Sequence, residues 1–517
     1  MKLAITGSTG NMGQAVMKQL CSLENIEKIK LLSRNRKRIK KLLKAIKPLK
    51  DKIEVIIGSS ADPEVCKKLV DGVDYVVNMG AVIPPVADIN PRAAVEANEV
   101  GAAVLVDAVE NITENQPKFI HISTMALYGN RNHSHPWGRV GDPLLVSPFD
   151  VYAATKLRGE FKVLESKIKK WAVIRQTAML HENMLSDNMS DGLMFHTCFN
   201  APLEWATAHD SGVLIKNILK KDSECDLGDK FWKKCFNLGG GEVNRLTGFD
   251  TLNDGFKIIG GSAKDFFDPT YNATRNFHGL WFSDGEVLND MFDYISQSTD
   301  DYWKRIAKLH PVYALGKIVP KGIIRSTAIK RLFKNYNSPA YWAKHGDEER
   351  LFAYFGGRDK YESLPKKWSD FDLLAEGRAE GEAVDYEKLK SEPTEIDYGF
   401  DFFKSDGEIA KADLEAVATA HGGKLMSDEF QTGDMYKTLQ WQTQDGEVFE
   451  ANAYTVLRAG HWYNPIYKEY VWDFDRLAKK DKIWAQIWYD SHERDENRIY
   501  RLDSEFNVVA EKGDDAR

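Results

Sequence analysis

The feature that most restricts the fold lies in the first twenty residues. An apolar run, Leu3-Ala4-Ile5, passes directly into Thr6-Gly7-Ser8-Thr9-Gly10-Asn11-Met12-Gly13 and then into a helical stretch from Gln14. Glycines so placed permit a tight turn, let backbone approach a pyrophosphate and let helix pack on strand, while the helix N-terminus offers N–H groups to the anion. The pattern predicts a dinucleotide site at this loop.

Further apolar runs recur at Ile29-Lys30-Leu31-Leu32, Val55-Ile56-Ile57, Tyr75-Val76-Val77, Phe119-Ile120-His121-Ile122 and Ala172-Val173-Ile174, separated by amphipathic stretches. Strands alternating with helices predict a doubly wound, Rossmann-type α/β fold with a parallel sheet. From about residue 241 the pattern turns irregular and reads as a small substrate lobe, closing a first unit over 1–300. Residues 301–375 read as a mainly helical aromatic and basic extension, 376–397 as an acidic solvated linker, and 398–517 as an α+β module. Eight of 13 Trp and 15 of 20 Tyr lie beyond residue 300, whereas all five cysteines precede it.

The five cysteines form no CxxC pair, which argues against structural zinc and for a reducing compartment. A net charge of −7 gives no basic field for nucleic acid. Strand-like sequence from residue 2 leaves no room for an export signal, and no run of about 18 apolar residues follows, so the expectation is a cytoplasmic protein. Beyond the second strand, Ser33-Arg34 stands where an acidic residue would bind a ribose 2′-hydroxyl. A basic residue there pairs with a 2′-phosphate, predicting NADP rather than NAD.

Together these residues resemble the extended short-chain dehydrogenase/reductase family, of the epimerase/dehydratase kind, whose glycine motif has the same TGxxGxxG spacing. Asp62 is similar to that family's adenine-contacting Asp, Asn78-Met79-Gly80-Ala81 to the loop passing under the cofactor, and Asn98 with Gly101 to its Asn-x-x-Gly helix. The resemblance implies cofactor contacts at Gly7, Thr9, Gly10, Asn11, Met12, Gly13, Ser33, Arg34, Asp62, Met79, Gly80, Ala81 and Asn98. It also implies a homodimer.

Tyr152 and Lys156 stand four residues apart, on one face of a helix, where the ammonium can lower the phenol pKa for proton transfer. Tyr313/Lys317 and Tyr386/Lys390 share that spacing, so context decides: only Tyr152 follows the sheet strands and Ser123-Thr124-Met125-Ala126-Leu127-Tyr128-Gly129, which resembles the family's strand-end hydroxyl motif. The resemblance makes Thr124 the catalytic hydroxyl, with Ser123 as its substitute, Tyr152 the acid/base, and Lys156 a holder of the nicotinamide ribose.

The resemblance also assigns substrate loops to Ala178–Thr207, an apolar stretch that includes Met179, Met184, Met189, Met194 and Phe195. With Ser123 and Met125, the residues Met179, Met184 and Phe195 are the expected pocket. Such a wall suits NADPH-dependent reduction of a carbonyl on a hydrophobic or aromatic small molecule, or the reverse oxidation. The alternatives are a nucleotide-sugar epimerase or dehydratase with internally recycled NAD, for which Arg245 and Arg275 are candidate diphosphate ligands, and a non-catalytic cofactor-sensing scaffold. His121 reads as packed core, Cys198 as a poor nucleophile, and Asp490, His492, Glu493 and Asp495 as a solvated charged segment. The basic stretch His310–Lys334 reads as a helix docked on the first domain rather than as a membrane contact. Residues 419–467 faintly resemble a zinc ribbon, but Thr443, Glu447 and Tyr463 stand where ligands would be.

Overall fold

The computed structural model of the chain describes residues 1–188 and 192–510. Seven parallel strands form the central sheet: β1 (Lys2–Thr6), β2 (Lys28–Ser33), β3 (Ile53–Ile57), β4 (Tyr75–Asn78), β5 (Lys118–Thr124), β6 (Trp171–Gln176) and β7 (Lys234–Leu238). Their order is β7-β6-β5-β4-β1-β2-β3. Helices cover both faces, so most strand residues of either parity are buried, and six strands are legible as mostly apolar runs. The seventh, Lys-Cys-Phe-Asn-Leu, carries too short a run to stand out.

The strand order reverses between β4 and β1, which pair directly with Leu3 opposite Tyr75 and Thr6 opposite Asn78. A doubly wound sheet opens a crevice at that point, beyond the carboxyl ends of its strands. The glycine loop, helix α1 (Asn11–Leu20) and Met79–Ala81 border it. A second helix that matters for the site, α2 (Val151–Leu164), packs behind β5 and β6.

The substrate lobe is built on a small sheet of Ala178–Leu180, Pro202–Thr207 and Arg245–Thr247. Its core of Phe195, Phe199, Phe249, Phe256, Phe266 and Phe267 also takes in Ile329, Leu332 and Leu373, so the helical extension is part of the lobe's packing. Residues 376–397 are not a free linker. A short hairpin and the helix Tyr386–Ser391 are held by Tyr386 donating to Asp250 (2.8 Å) and Trp137 donating to the Leu389 carbonyl (2.8 Å). Strands Lys424–Leu425, Thr438–Gln442 and Val448–Asn452 make one small sheet of the C-terminal module.

That module shares a continuous core with the first domain: Trp441, Trp462, Trp472 and Trp484 belong to the same apolar cluster as Leu105, Phe119, Leu157 and Trp171. Its polar contacts converge on α2. Arg158 donates to the Ile466 and Glu469 carbonyls, Glu165 accepts from Asn452 N–H and Thr455, and Glu160 meets His461 at 2.9 Å. Behind α2, Arg175 on β6 is fully buried, bound to Glu160 (2.6 Å), the Tyr128 phenol (2.7 Å) and the Ala459 carbonyl (2.7 Å).

No helix among the described residues is long and apolar enough to cross a membrane.

Candidate active site

The glycine loop is shaped by contacts that a side chain would break. Gly7 has φ +70°, and a Cβ there would lie 2.5 Å from the Met79 carbonyl; one on Gly13 would come within 2.2 Å of Gly7 O. Gly10 instead faces open space apart from Gly7 O at 3.4 Å, and it begins α1 without any side-chain cap. First-turn N–H groups are thus left for an external acceptor, as anion binding at a helix N-terminus requires. The Ser8 hydroxyl is buried without a partner among the described residues. Thr6 ties the two strand ends together by donating to Asn78 (2.6 Å) and accepting from Gly80 N–H (2.9 Å). These residues fit a dinucleotide pyrophosphate.

The other expected cofactor residues fall at varied distances from the cavity. Gly7, Gly10, Asn11, Met12, Gly13, Met79 and Ala81 line it. Thr9 offers its carbonyl to Gln14, and Asp62 caps the helix Pro63–Val70. Asn98 lies behind the wall, bonding both Val82 backbone groups and Thr155, so it braces the loop and α2. Beyond β2, the Arg34 side chain is 54% exposed and has Glu96 3.9 Å away.

Thr124 ends β5, and α2 carries Tyr152 and Lys156 on the turn facing it, with Asp150 as its N-cap. All three line one cavity of ≈ 410 Å³. Burial pushes the Tyr152 phenol up to about 12, opposed by a hydrogen bond with Thr124 and reinforced by Asp150. Burial pulls the Lys156 ammonium down to about 8, against the pull of Glu160. Lys156 donates to the Ile122 carbonyl (2.6 Å). Ser123 is spoken for: it donates to Glu160.

His121 is more than packing. Its Nδ1 lies 3.0 Å from the Asn78 amide and its Nε2 3.4 Å from Lys156 Nζ. Burial holds this imidazole neutral, well below its ordinary pKa. Only the pairing of β4 with β5 brings these residues together, and no local signal marks it.

The cavity walls come from the whole chain. Asp150, His278 and Phe277 stand beside the tyrosine; Tyr336, Asn337, Arg350 and Tyr354 come from the helical extension; Leu502 and Phe506 come from the C-terminal module. Of the expected pocket residues, Ser123, Met125 and Met179 line this cavity. Met184 lines an adjoining apolar chamber of ≈ 220 Å³ with Met194, Trp205, Phe256 and Trp303. Phe195 lines neither; it is fully buried in the lobe core against Phe267 and Phe333. Met189 lies outside the described residues.

Neither candidate diphosphate ligand reaches the cavity. Arg245 stacks over Trp137 beside Glu204, and Arg275 is bidentate to Glu496 (2.7 and 2.8 Å). Arg350 is the one arginine among the described lining residues, and it is bound to Asp347 (2.5 Å). Cys198 is buried and its thiol is pushed up to about 12, an inert state. The segment from Asp490 is not wholly solvated: His492 is buried, stacks on Trp488 and meets the Asn276 amide at 3.1 Å.

Residues 4–173, about a third of the chain, match the family model of GDP-mannose 4,6 dehydratase. Among solved structures, the chain is similar to UDP-glucuronic acid 4-epimerase from Bacillus cereus in complex with NAD (20% identity, 61% of this chain and 100% of that one, TM-score 0.44). It is likewise similar to dTDP-glucose 4,6-dehydratase from Bacillus anthracis in complex with NAD (16% identity, 60% and 97%, TM-score 0.46). The dTDP-glucose 4,6-dehydratase from Streptomyces venezuelae with NAD bound matches at 16% identity over 60% and 97%, TM-score 0.46. The glycine cradle, switch-point crevice and seven-stranded parallel sheet are those of a Rossmann-type dinucleotide-binding α/β fold, and within it residues 4–173 match that family model.

Proposed function

We propose an NAD-dependent enzyme of the epimerase or dehydratase kind, in which the cofactor is reduced and reoxidised within one catalytic cycle. One observation carries this reading: Thr124, Tyr152 and Lys156 open into a cavity that also meets the glycine cradle and is walled by residues from all parts of the chain. Leu502 and Phe506, packed near Tyr152, keep water from the reacting carbon and a bound cofactor from leaving between half-reactions. When bound, the nicotinamide supplies a hydride acceptor and donor at C4.

The chain's own groups supply the rest. Tyr152 takes the proton of a substrate hydroxyl during oxidation and returns it during reduction. Thr124, which lines the cavity with the phenol, orients the substrate oxygen and stabilises the phenolate. Lys156 places an ammonium one helical turn beyond the phenol, and His121 and the Ile122 carbonyl fix its position. The cradle would hold the pyrophosphate through N–H groups of α1.

NAD replaces the NADP expected from Arg34. Glu96 beside that guanidinium offsets the positive charge a 2′-phosphate needs and would repel the phosphate itself. The relatives named above are nucleotide-sugar enzymes with NAD, which supports the same choice.

A second reading, net reduction of an apolar carbonyl, is favoured by the adjoining ≈ 220 Å³ chamber lined by Met184, Met194, Trp205 and Trp303. Absorbance at 340 nm separates the two. Under the main reading, nucleotide sugars are converted by NAD-loaded protein with no net change at that wavelength. Stoichiometric loss of reduced cofactor with hydrophobic ketones, and no action on nucleotide sugars, would favour the second reading instead.

A further inference from the structure

The stretch His310–Lys334 does not dock as a buried amphipathic helix. Ile329 and Leu332 are its buried apolar anchors, while Val312, Leu315, Ile318 and Ile323 are 61%, 57%, 80% and 51% exposed. Leu309 and Val319 extend the same exposed cluster. Six large apolar side chains within fifteen residues form a patch that single surface hydrophobics do not explain. The segment is nonetheless held in place. Gly260 (φ +81°) lets Lys317 approach so closely that a Cβ would lie 3.0 Å from Lys317 Cα, and a Cβ on Gly316 would lie 2.8 Å from Ile259.

Charge identifies what covers the patch. Between Asp301 and Asp347 the sequence has no acidic residue and ten Lys or Arg, in a chain of net charge −7. Lys321 and Arg325 are paired with Asp265 and Asp268 at the base of the segment. Lys308, Lys317, Lys330, Arg331 and Lys334 are exposed and make no ion pair among the described residues. A second copy of the same patch would bring like charges together, which opposes self-association. Apolar side chains ringed by unpaired cations suit the headgroup region of an anionic bilayer, where the former enter the acyl boundary and the latter meet lipid phosphates.

We propose that residues 309–334 are a peripheral membrane-binding surface for anionic lipid. The chain lies on the bilayer and does not span it. The helix Thr299–Leu309 leads from the patch to Trp303, a wall of the apolar chamber, so the surface and the chamber share one element.

Vesicle flotation of the full chain tests this. With phosphatidylcholine–phosphatidylglycerol vesicles at a ~3:1 ratio and low salt, the protein floats; with phosphatidylcholine alone, or at high salt, it stays in the soluble fraction. Leu315→Glu and Ile318→Glu each lower the vesicle partition coefficient by about tenfold or more, with unchanged circular dichroism and thermal midpoint because both sites are exposed. Lys308→Gln with Lys317→Gln weakens binding without altering the apolar patch, so it remains informative should a Glu variant misfold. The proposal is overturned by full recovery in the soluble fraction with anionic vesicles at low salt, or by binding that neither variant class changes. A concentration-dependent dimer that Ile318→Glu dissociates would also overturn it, by assigning the patch to a second copy.

Discussion

Tyr152→Phe lowers turnover by roughly 10²–10⁴-fold while leaving nicotinamide binding intact. In the proposed mechanism the phenol hydroxyl transfers the proton, and phenylalanine keeps the ring's packing against Val82 and Val151 while removing only that hydroxyl. The sign of the pH dependence follows from the direction of the shift. A phenol pushed up to about 12 is protonated at neutral pH, so the reductive half-reaction has its proton donor ready. Oxidation of an alcohol needs the phenolate and accelerates as pH rises. Rapid-mix measurement of the two half-reactions at several pH values checks both. A cofactor-sensing scaffold would instead keep its function in the Phe variant, so unchanged function together with unchanged cofactor affinity would move the chain into that class.

Glu160→Gln destabilises the fold by about 3–5 kcal/mol, because it leaves a buried guanidinium without its counter-ion. Glu160 and Arg175 are both fully buried, and His461 reaches the same carboxylate from the C-terminal module. Burial alone would raise the Glu160 carboxyl, but the Arg175 charge and the His461 hydrogen bond hold it well below the ordinary carboxylate range. A carboxyl depressed in the folded state contributes stability above its unfolded pKa of about 4.3 and loses it as pH falls through the folded value. Wild-type stability therefore falls with acidification below about pH 5, and the Gln variant lacks this component. Urea melts at pH 7 and pH 4 measure both effects. Glu160→Leu combined with Arg175→Met recovers much of the loss, since apolar groups of similar volume replace a buried pair with little penalty. If Glu160→Gln unfolds at the wild-type midpoint, the buried ion pair is not what fastens the C-terminal module to α2.

These two residues also mark how far the sequence could be read. Tyr152, Lys156 and Thr124 are legible because their spacing is local and their context matches a known motif. The central strands are legible because parallel strands buried on both faces leave mostly apolar runs. Glu160 shows no such sign. Its partners Arg175 and His461 lie 15 and 301 residues away, and only the completed packing unites them. The same holds for the cavity walls at Tyr354, Leu502 and Phe506, and for the wire from Asn78 through His121 to Lys156. Phe195 lies in the lobe core and not in the expected pocket, since an apolar residue in a substrate loop can face either the ligand or the core and periodicity does not distinguish them. The surroundings of Arg34 are equally hidden: Glu96, 62 positions later, comes within 3.9 Å of it only in the completed fold.

The central claim is that a nicotinamide dinucleotide is retained in the cavity through a complete redox cycle. Native mass spectrometry of the untreated protein, with a denatured control to identify what is released, tests it most directly. The expected result is one NAD(H) per chain that persists through turnover. A chain that is purified empty and takes up NADPH reversibly would contradict it, and would make the enzyme a reductase whose cofactor exchanges at every cycle.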